Sequence, residues 1–521
     1  MLEKVGRDPA GASDFHSFFG GLLAPLLIRK DERRSFLIAL VLVAFARAQA
    51  AFDFTYAVDD YRQIIDGLSS LSGALIGQGR FGTYWLSEVF GFVGFDPVRS
   101  PIISIVASVI LSAWIGNAVL RLWTYDLPDL IRALLIVIIA AHPYTSEILT
   151  FRGIAIYHIL AFVLSVAAIM VAGPGLWRIL LSSLLFAVGL TLYQIPINYI
   201  SVFLCFDLAL RAIRHFIKSD DVPASYTLWD RTFYARILTF FVGFALYMVL
   251  LKVSTYGYGT DPRGVMIGLG DIPSRVLLGL NLLYGHFVTG GVYGNNLLPK
   301  AILAIPLLFV VAALVELVGR ASDMRGAIIA GVVVVAAPVV AGFAMLGAPL
   351  LFTLLFLPPR ILTQIGLVWA GVAVVALTVR VVIPRHVFSA ALGLVVFSFI
   401  AANNQIFVDQ ARVATRDHNL AIRLMARLEG LPNFSAMKTI AVVGYPADSG
   451  TSIPTGIPAF NDSNWIYPWA IAPMITELTG IPVKYAKPEG QTAAVEYCRS
   501  HQRWPAQDAA TIQGELAIVC L

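Results

Sequence analysis

The sequence predicts a polytopic α-helical membrane protein with about eleven transmembrane helices and a small C-terminal α/β domain. Its residues are 58% hydrophobic and only 13% charged, and the mean hydropathy is +0.78. Apolar runs of about 20 residues, long enough to cross a bilayer as a helix, recur up to residue 407 and then stop. The predicted spans are 35–52, 100–121, 132–149, 153–172, 178–194, 196–212, 236–252, 299–318, 327–346, 361–379 and 387–407.

The first 34 residues precede the first predicted span and end in a basic cluster, Arg29, Lys30, Arg33 and Arg34. This arrangement does not match a cleavable signal peptide. We therefore expect residues 1–34 to form a cytoplasmic leader, in which 15–28 can lie on the membrane surface as an interfacial helix.

The distribution of basic residues predicts the orientation of the spans. With the N-terminus inside, the leader and inner loops carry 18 Lys and Arg residues, against nine in the outer loops before residue 408. Because cytoplasmic loops carry the excess of basic residues, we expect a cytoplasmic N-terminus. An odd number of spans then places residues 408–521 outside the membrane.

The C-terminal region changes from long apolar runs to short alternating segments. Residues 409–431 are typical of an amphipathic helix that leaves the membrane. Strands are predicted at 439–443, 483–485 and 515–521, with helices at 469–478 and 491–501 between them. Cys498 and Cys520 both lie in this region, and an oxidising compartment would favour a disulfide between them. The pattern indicates a lid or an acceptor-binding module rather than an independent active site.

Two adjacent carboxylates, Asp59 and Asp60, mark the first predicted outer loop, 53–100. Their mutual repulsion just outside a span favours a general base or an ion site, although a solvated helix cap would use the same residues. Both are candidate catalytic residues and candidate ligands for a divalent cation, Mg²⁺ or Mn²⁺; no other cofactor is expected. Arg47, inside the first span, either extends to the membrane surface or reaches toward this pair.

Two amphipathic stretches follow in the same loop, one from Asp59 to Leu71 and one from Phe81 to Phe92. Gly79 permits a sharp bend, and Arg80 then stands at the start of the second helix, where backbone amides can also hold a phosphate. Ordinary surface helices with polar faces would give the same pattern.

Three short motifs, all on the predicted outer side, together resemble one family. They are Asp59-Asp60-Tyr61-Arg62 with Gly77-Gln78-Gly79-Arg80 and Trp85, then His142-Pro143-Tyr144-Thr145-Ser146-Glu147-Ile148-Leu149-Thr150-Phe151, and Leu192-Tyr193-Gln194. The set resembles the type II O-antigen glucosyltransferases, serotype-converting enzymes of bacterial inner membranes, over roughly residues 35–400. The chain departs from this resemblance at Ile154-Ala155-Ile156, where we would expect an acidic residue. This departure means that the motifs do not identify which sugar is transferred.

The resemblance implies a GT-C-like transmembrane domain at 35–407 and inverting transfer of a hexose, most plausibly glucose, from polyprenyl phosphate to a cell-surface glycan or glycolipid. Asp59 or Asp60 would be the base. Cations that could bind the donor phosphate or sugar are Arg62, Arg80, Arg152, Arg47, Lys300 and Arg360. Further substrate candidates are Glu147, His158, Tyr193, Gln194, Arg263 and His286.

Other classes of membrane protein stay open at this stage. A transporter or flippase of a lipid-linked saccharide would favour polar or broken segments at mid-membrane, whereas the charges here cluster at the span ends. An O-antigen polymerase or ligase, or a scaffold that presents the C-terminal domain, gives no reason for the aspartate pair. No nucleic-acid-binding module is recognisable, and we expect the partners to be the sugar donor, the glycan acceptor and membrane lipids.

Overall fold

The computed structural model describes residues 24–52, 55–67, 71–124, 127–217, 228–256, 267–289, 300–319, 324–351, 353, 355, 357–379, 381, 383–446 and 463–521. Long apolar helices dominate the described chain, as expected where every backbone polar group must be satisfied internally in lipid. In chain order, its α-helices are α1 (Arg33–Phe52), α2 (Val58–Asp66), α3 (Ser72–Gly77), α4 (Phe81–Phe92), α5 (Pro101–Trp123), α6 (Asp129–Ala140), α7 (Ser146–Thr150), α8 (Arg152–Val171), α9 (Leu176–Leu192), α10 (Pro196–Ile217), α11 (Arg231–Ser254), α12 (Ile272–Tyr284), α13 (Lys300–Gly319), α14 (Met324–Leu346), α15 (Ile365–Val379), α16 (Arg385–Glu429), α17 (Pro468–Thr479) and α18 (Pro488–Ser500).

The polytopic helical class is confirmed, whereas the count of eleven spans stays a prediction. Within the described ranges, eight helices are long and apolar enough to cross a membrane, and a bent pair raises this to nine. The predicted span at 178–194 corresponds to α9, which has 17 residues. The one at 196–212 corresponds to α10, whose last turns carry Asp207, Arg211 and Arg214. The interfacial helix predicted for 15–28 lies mostly outside the described residues, which hold only a 3₁₀ turn at Ala24–Leu26.

The predicted span at 132–149 is not one continuous helix. The helix α6 ends at Ala140, and the chain resumes as a helical segment at Pro143–Thr150 after a bend of 47°. Because the residue before a proline avoids helical backbone angles, His142-Pro143 interrupts the helix. The imidazole Nδ1 of His142 accepts the backbone N–H of Tyr144 at 3.3 Å, which closes the turn.

Arg47 fixes this bend against two other helices. Its guanidinium donates to the hydroxyls of Ser146 and Thr145 beside the bend, to the carbonyl of Ala140 at 3.3 Å, and to Oδ1 of Asn403 in α16 at 3.0 Å. The side chain is buried. A buried guanidinium is tolerated when its donors are bonded, so Arg47 braces three parts of the membrane domain.

The C-terminal domain is a four-stranded sheet with strand order β2-β1-β4-β3. The strands are β1 (Thr439–Val443), β2 (Lys484–Tyr485), β3 (Ala510–Gln513) and β4 (Leu516–Cys520). The central strand β1 runs parallel to both β2 and β4, whereas β3 is antiparallel to β4. The sequence did not predict β3. Cys498 of α18 and Cys520 of β4 form a disulfide with their Cα atoms 5.5 Å apart.

A single helix connects the two parts of the molecule. The amphipathic segment predicted at 409–431 continues the last span without a break, giving the 45-residue helix α16. At 1.5 Å per residue it is about 67 Å long, roughly twice the hydrocarbon thickness of a bilayer. Its final turns pack into the core of the C-terminal domain, together with Tyr61 of α2.

We expect Arg47→Ala to lower the stability of the membrane domain by about 2 kcal/mol, because Asn403 and the hydroxyls beside the bend lose a charged partner in a buried site. Arg34→Ala is the matched control, since that side chain lies in the same helix and is 82% exposed. The midpoint of thermal unfolding in detergent should fall for the first variant and hold for the second. Equal midpoints would contradict the bracing role.

Candidate active site

A cavity of about 980 Å³ opens between the segment that joins α1 to α5, the ends of several long helices and the C-terminal domain. Its walls come from α2, the region of α3 and α4, the bend before α8, the entry to α15, the middle of α16 and the segment before α17. Six residues singled out in the sequence line it, namely Asp59, Arg62, Arg80, Glu147, His158 and Arg360.

The two adjacent aspartates have different environments. Neighbouring residues of a helix point about 100° apart, so one can face the cavity while the other faces the protein. Asp59 lines the cavity, and its Oδ1 accepts the indole N–H of Trp469 at 3.2 Å. Asp60 has no exposed surface and does not line the cavity. The geometry therefore presents only Asp59 to a substrate.

Asp60 joins the outer loop to the membrane domain. Its carboxylate accepts the first two backbone N–H groups of α8, from Arg152 at 3.0 Å and Gly153 at 2.9 Å, and the N–H of Ala57 at 2.9 Å. These amides would otherwise lack partners at helix starts, and the positive end of the α8 dipole favours the anion. Burial raises the pKa of the Asp60 carboxyl to about 6, while the three amides oppose that shift.

The helices α2 and α8 also pack closely where Asp60 joins them. A Cβ atom at Gly153 would lie 1.8 Å from Oε1 of Gln63, so only glycine permits the approach of α8 to α2. On the opposite face of α2, the Tyr61 hydroxyl bonds Nε2 of His418 at 2.6 Å. The helix that carries Asp59 is thus fixed between the membrane domain and the C-terminal domain.

Two of the lining cations are held by aromatic rings. The Arg80 guanidinium lies over the Tyr193 ring, 5.0 Å from its centroid, and the His158 imidazole stacks on the same ring at 3.7 Å. The Arg360 guanidinium lies over the Phe151 ring at 4.8 Å. A guanidinium packed on a ring keeps edge N–H donors for an anion, a geometry suited to phosphate.

Arg360 is also tied to Glu147. The two side chains form an ion pair, and the backbone N–H of Arg360 donates to Oε2 of Glu147 at 2.6 Å. This contact links the short helix α7 to the entry of α15. Glu147 therefore orients a cation at the cavity wall and offsets part of its charge.

Three buried polar atoms on the cavity wall have no hydrogen-bond partner among the described residues: Nδ1 of His158, Nε2 of Gln63 and Oε1 of Gln410. Because these atoms are themselves buried, they do not face the cavity directly, although their side chains line it. The sequence analysis missed both glutamines. Gln63 is four residues after Asp59, on the same face of α2, and that spacing was available as a signal. Nothing local marked Gln410.

The remaining candidates within the described ranges do not line the cavity. Arg152 is buried, and its Nε donates to the Thr55 carbonyl at 3.4 Å. The Gln194 amide donates to the Gln78 carbonyl at 2.9 Å, and His286 bonds the Tyr144 hydroxyl at 2.8 Å. Lys300 is exposed at the start of α13. The others are Arg47, which braces the bend, Tyr193, which lies behind Arg80 and His158, and Arg263, which is outside the described residues.

The donor set around the aspartate pair does not fit a divalent cation. Both oxygens of Asp60 accept backbone amides, whereas Asp59 faces the cavity, so the two carboxylates do not converge on one point. In the described part of the chain, no group of three or more His, Cys, Asp or Glu residues could hold a metal ion. The predicted Mg²⁺ or Mn²⁺ remains a prediction.

Comparison with known proteins gives one match. A family model described as glucosyl transferase GtrII matches residues 49–402, more than half of the chain. The matched region contains Asp59, all three lining arginines and the bend at Pro143. No curated protein and no solved structure matches the chain.

We expect Asp60→Asn to destabilise the protein by about 2–3 kcal/mol, because its amide nitrogen cannot accept the backbone N–H groups that the carboxylate now accepts. The matched control is Asp66→Asn, an exposed carboxylate at the end of the same helix. Thermal unfolding in detergent and amide exchange at Arg152 and Gly153 should change for Asp60→Asn only. Unchanged exchange at both amides would contradict the role of Asp60 in joining α2 to the start of α8.

Proposed function

The chain belongs to the GtrII glucosyltransferase family, as its sequence motifs predicted, and from this premise we propose that it transfers glucose from a polyprenyl-phosphate donor to a hydroxyl of the O-antigen or a related glycolipid. Membership makes it a glycosyltransferase with a sugar donor and a glycan acceptor. The donor class, the acceptor and the residue roles that follow are parts of the proposal.

In the proposed reaction, one hydroxyl oxygen of the acceptor attacks the anomeric carbon of the donor sugar. The new carbon–oxygen bond forms as the bond from that carbon to the phosphate oxygen breaks, and the phosphate keeps the electron pair. Asp59 takes the proton of the acceptor hydroxyl. The products are the glycosylated acceptor with inverted anomeric configuration and polyprenyl phosphate.

The observation that carries the proposal is that Asp59 shares one cavity with Arg62, Arg80 and Arg360. A departing phosphate gains negative charge, and fixed guanidinium groups stabilise that charge without having to reorganise. Arg80 and Arg360 are pre-positioned on the rings of Tyr193 and Phe151. His158, Gln63 and Gln410 also line the cavity, and their side chains carry the kinds of polar group that sugar hydroxyls bond.

We further propose that the reaction takes place on the outer face of a bacterial inner membrane, with the N-terminus in the cytoplasm and the C-terminal domain in the periplasm. The support is the excess of Lys and Arg in the predicted inner loops. Ion pairs of Glu32 with Arg121 and Arg132 join the ends of three helices on the predicted inner side.

The decisive assay supplies the purified protein with radiolabelled polyprenyl-phosphate glucose and a cell-envelope glycan fraction. We expect Asp59→Asn to lower transfer at least about 100-fold, since a general base contributes 10²–10⁴. Its unfolding midpoint should stay near that of wild type, because the variant keeps an oxygen to accept from Trp469. Asp66→Asn should transfer label normally.

Two results would refute the proposal. Transfer that survives in Asp59→Asn would remove this residue as the base. Labelling from nucleotide-diphosphate glucose, with none from the polyprenyl donor, would exclude the donor class. Uptake of the intact labelled lipid across vesicles, without transfer, would instead favour a flippase.

The orientation has its own test. In intact spheroplasts, an added protease should cleave the C-terminal domain, whereas a tag at residue 1 should resist until the membrane is opened. The reverse pattern would overturn the proposed topology.

A further inference from the structure

The cavity wall that the C-terminal domain contributes lies outside the family match. Asn464, Tyr467 and Trp469 lie before and at the start of α17, and all three line the cavity beyond residue 402. None of the three carries a formal charge. The lining cations, Arg62, Arg80 and Arg360, all come from the outer loop and the entry of α15. The lining therefore combines a cationic side, the three arginines of the membrane domain, with a neutral, aromatic side, the three residues of the C-terminal domain.

The aromatic side is held in place by a buried carboxylate. Asp417 of α16 accepts the Ser463 hydroxyl at 2.9 Å and the Asn464 backbone N–H at 2.7 Å, and its backbone carbonyl accepts the Trp465 indole N–H at 3.3 Å. Asp417 has no exposed surface and pairs with Arg416. The segment that carries the two rings is thus fixed to the helix that rises from the membrane.

The two rings form a surface next to Asp59. The centroids of Tyr467 and Trp469 are 5.0 Å apart, the Trp469 ring remains 46% exposed, and its indole N–H bonds the Asp59 carboxylate. A partly exposed indole can pack on the apolar face of a pyranose. A sugar placed there brings its hydroxyls to the proposed base.

The position of each side of the cavity relative to the membrane indicates which substrate it binds. A lipid-linked donor reaches the cavity from the bilayer, where Arg80 and Arg360 stand near span ends, whereas a glycan acceptor extends into water. The C-terminal domain is reached through a helix about 67 Å long, well beyond the hydrocarbon layer. We propose that the C-terminal domain is the acceptor-binding module of this enzyme, with Tyr467 and Trp469 as the platform for a neutral sugar ring of the acceptor.

This inference rests on the proposed function and is tested by the dependence of transfer on each substrate. In the assay with polyprenyl-phosphate glucose and the cell-envelope glycan fraction, Trp469→Ala should raise the acceptor KM about five- to tenfold, the effect of losing one aromatic contact of about 1–1.4 kcal/mol. The donor KM should change less than twofold. Tyr467→Ala should shift the acceptor KM in the same direction.

Two further variants separate the platform from other roles. Trp469→Phe keeps a ring but removes the N–H to Asp59, so it should hold the acceptor KM near wild type while lowering kcat. Tyr445→Ala removes an exposed ring of the same domain that is not among the cavity-lining residues, and both KM values should hold. Supplying the acceptor as free polysaccharide or as lipid-linked glycan shows which form the platform takes.

The outcomes distinguish the two proposals. If wild type transfers sugar and the acceptor KM is unchanged in Trp469→Ala and Tyr467→Ala, the acceptor platform is refuted and the proposed function stands. If the donor KM rises instead, the rings bind the donor and the platform is likewise refuted. If folded wild type transfers no sugar from the polyprenyl donor, both proposals fall together.

Discussion

The buried carboxylate of Asp60 is the contact on which the site geometry depends. It accepts backbone amides from α8 and from the start of its own helix, so it fixes both the position of α2 and its rotation about the helix axis. With that rotation set, the neighbouring residue Asp59 must face the cavity. A buried anion is costly unless its oxygens are bonded, and helix N-termini supply those bonds without a second charge on the cavity wall.

The site is assembled from segments that lie far apart in the sequence. Asp59 comes from the first outer loop, Arg360 from the entry to α15, Gln410 from α16 and Trp469 from the C-terminal domain. The Arg47 brace holds the bend that positions Glu147, and Glu147 in turn orients Arg360. Asp59 and Arg360 are therefore each positioned by a buried polar contact behind them rather than by their own loop.

This dependence explains what the sequence could predict. Helix positions and the amphipathic helices between α1 and α5 follow from local patterns, so the sequence could predict them. The break at Pro143 has a local signal too, but the prediction of one span at 132–149 missed it. The choice between Asp59 and Asp60 depends on what α2 docks against, which no local pattern contains. Arg47 was likewise predicted to bind phosphate, because a cation near the end of a span is suited to that role. The structure shows that it braces the bend instead, and its partners, about 100 and 350 residues away, could not be identified from the local sequence.

If Asp59 is the base and the aromatic residues bind the acceptor, as proposed, the charges of the cavity require these two roles to be on different residues. Glycosyl transfer from a phosphate needs cations for the leaving group, yet a cation beside the base would compete for its carboxylate. In this cavity, the side chain that bonds Asp59 is the neutral indole of Trp469, and Arg360 is offset by Glu147. An indole can orient a carboxylate without forming an ion pair with it. A neutral aromatic wall is therefore what a base next to three arginines needs, and the same wall is suited to a neutral sugar.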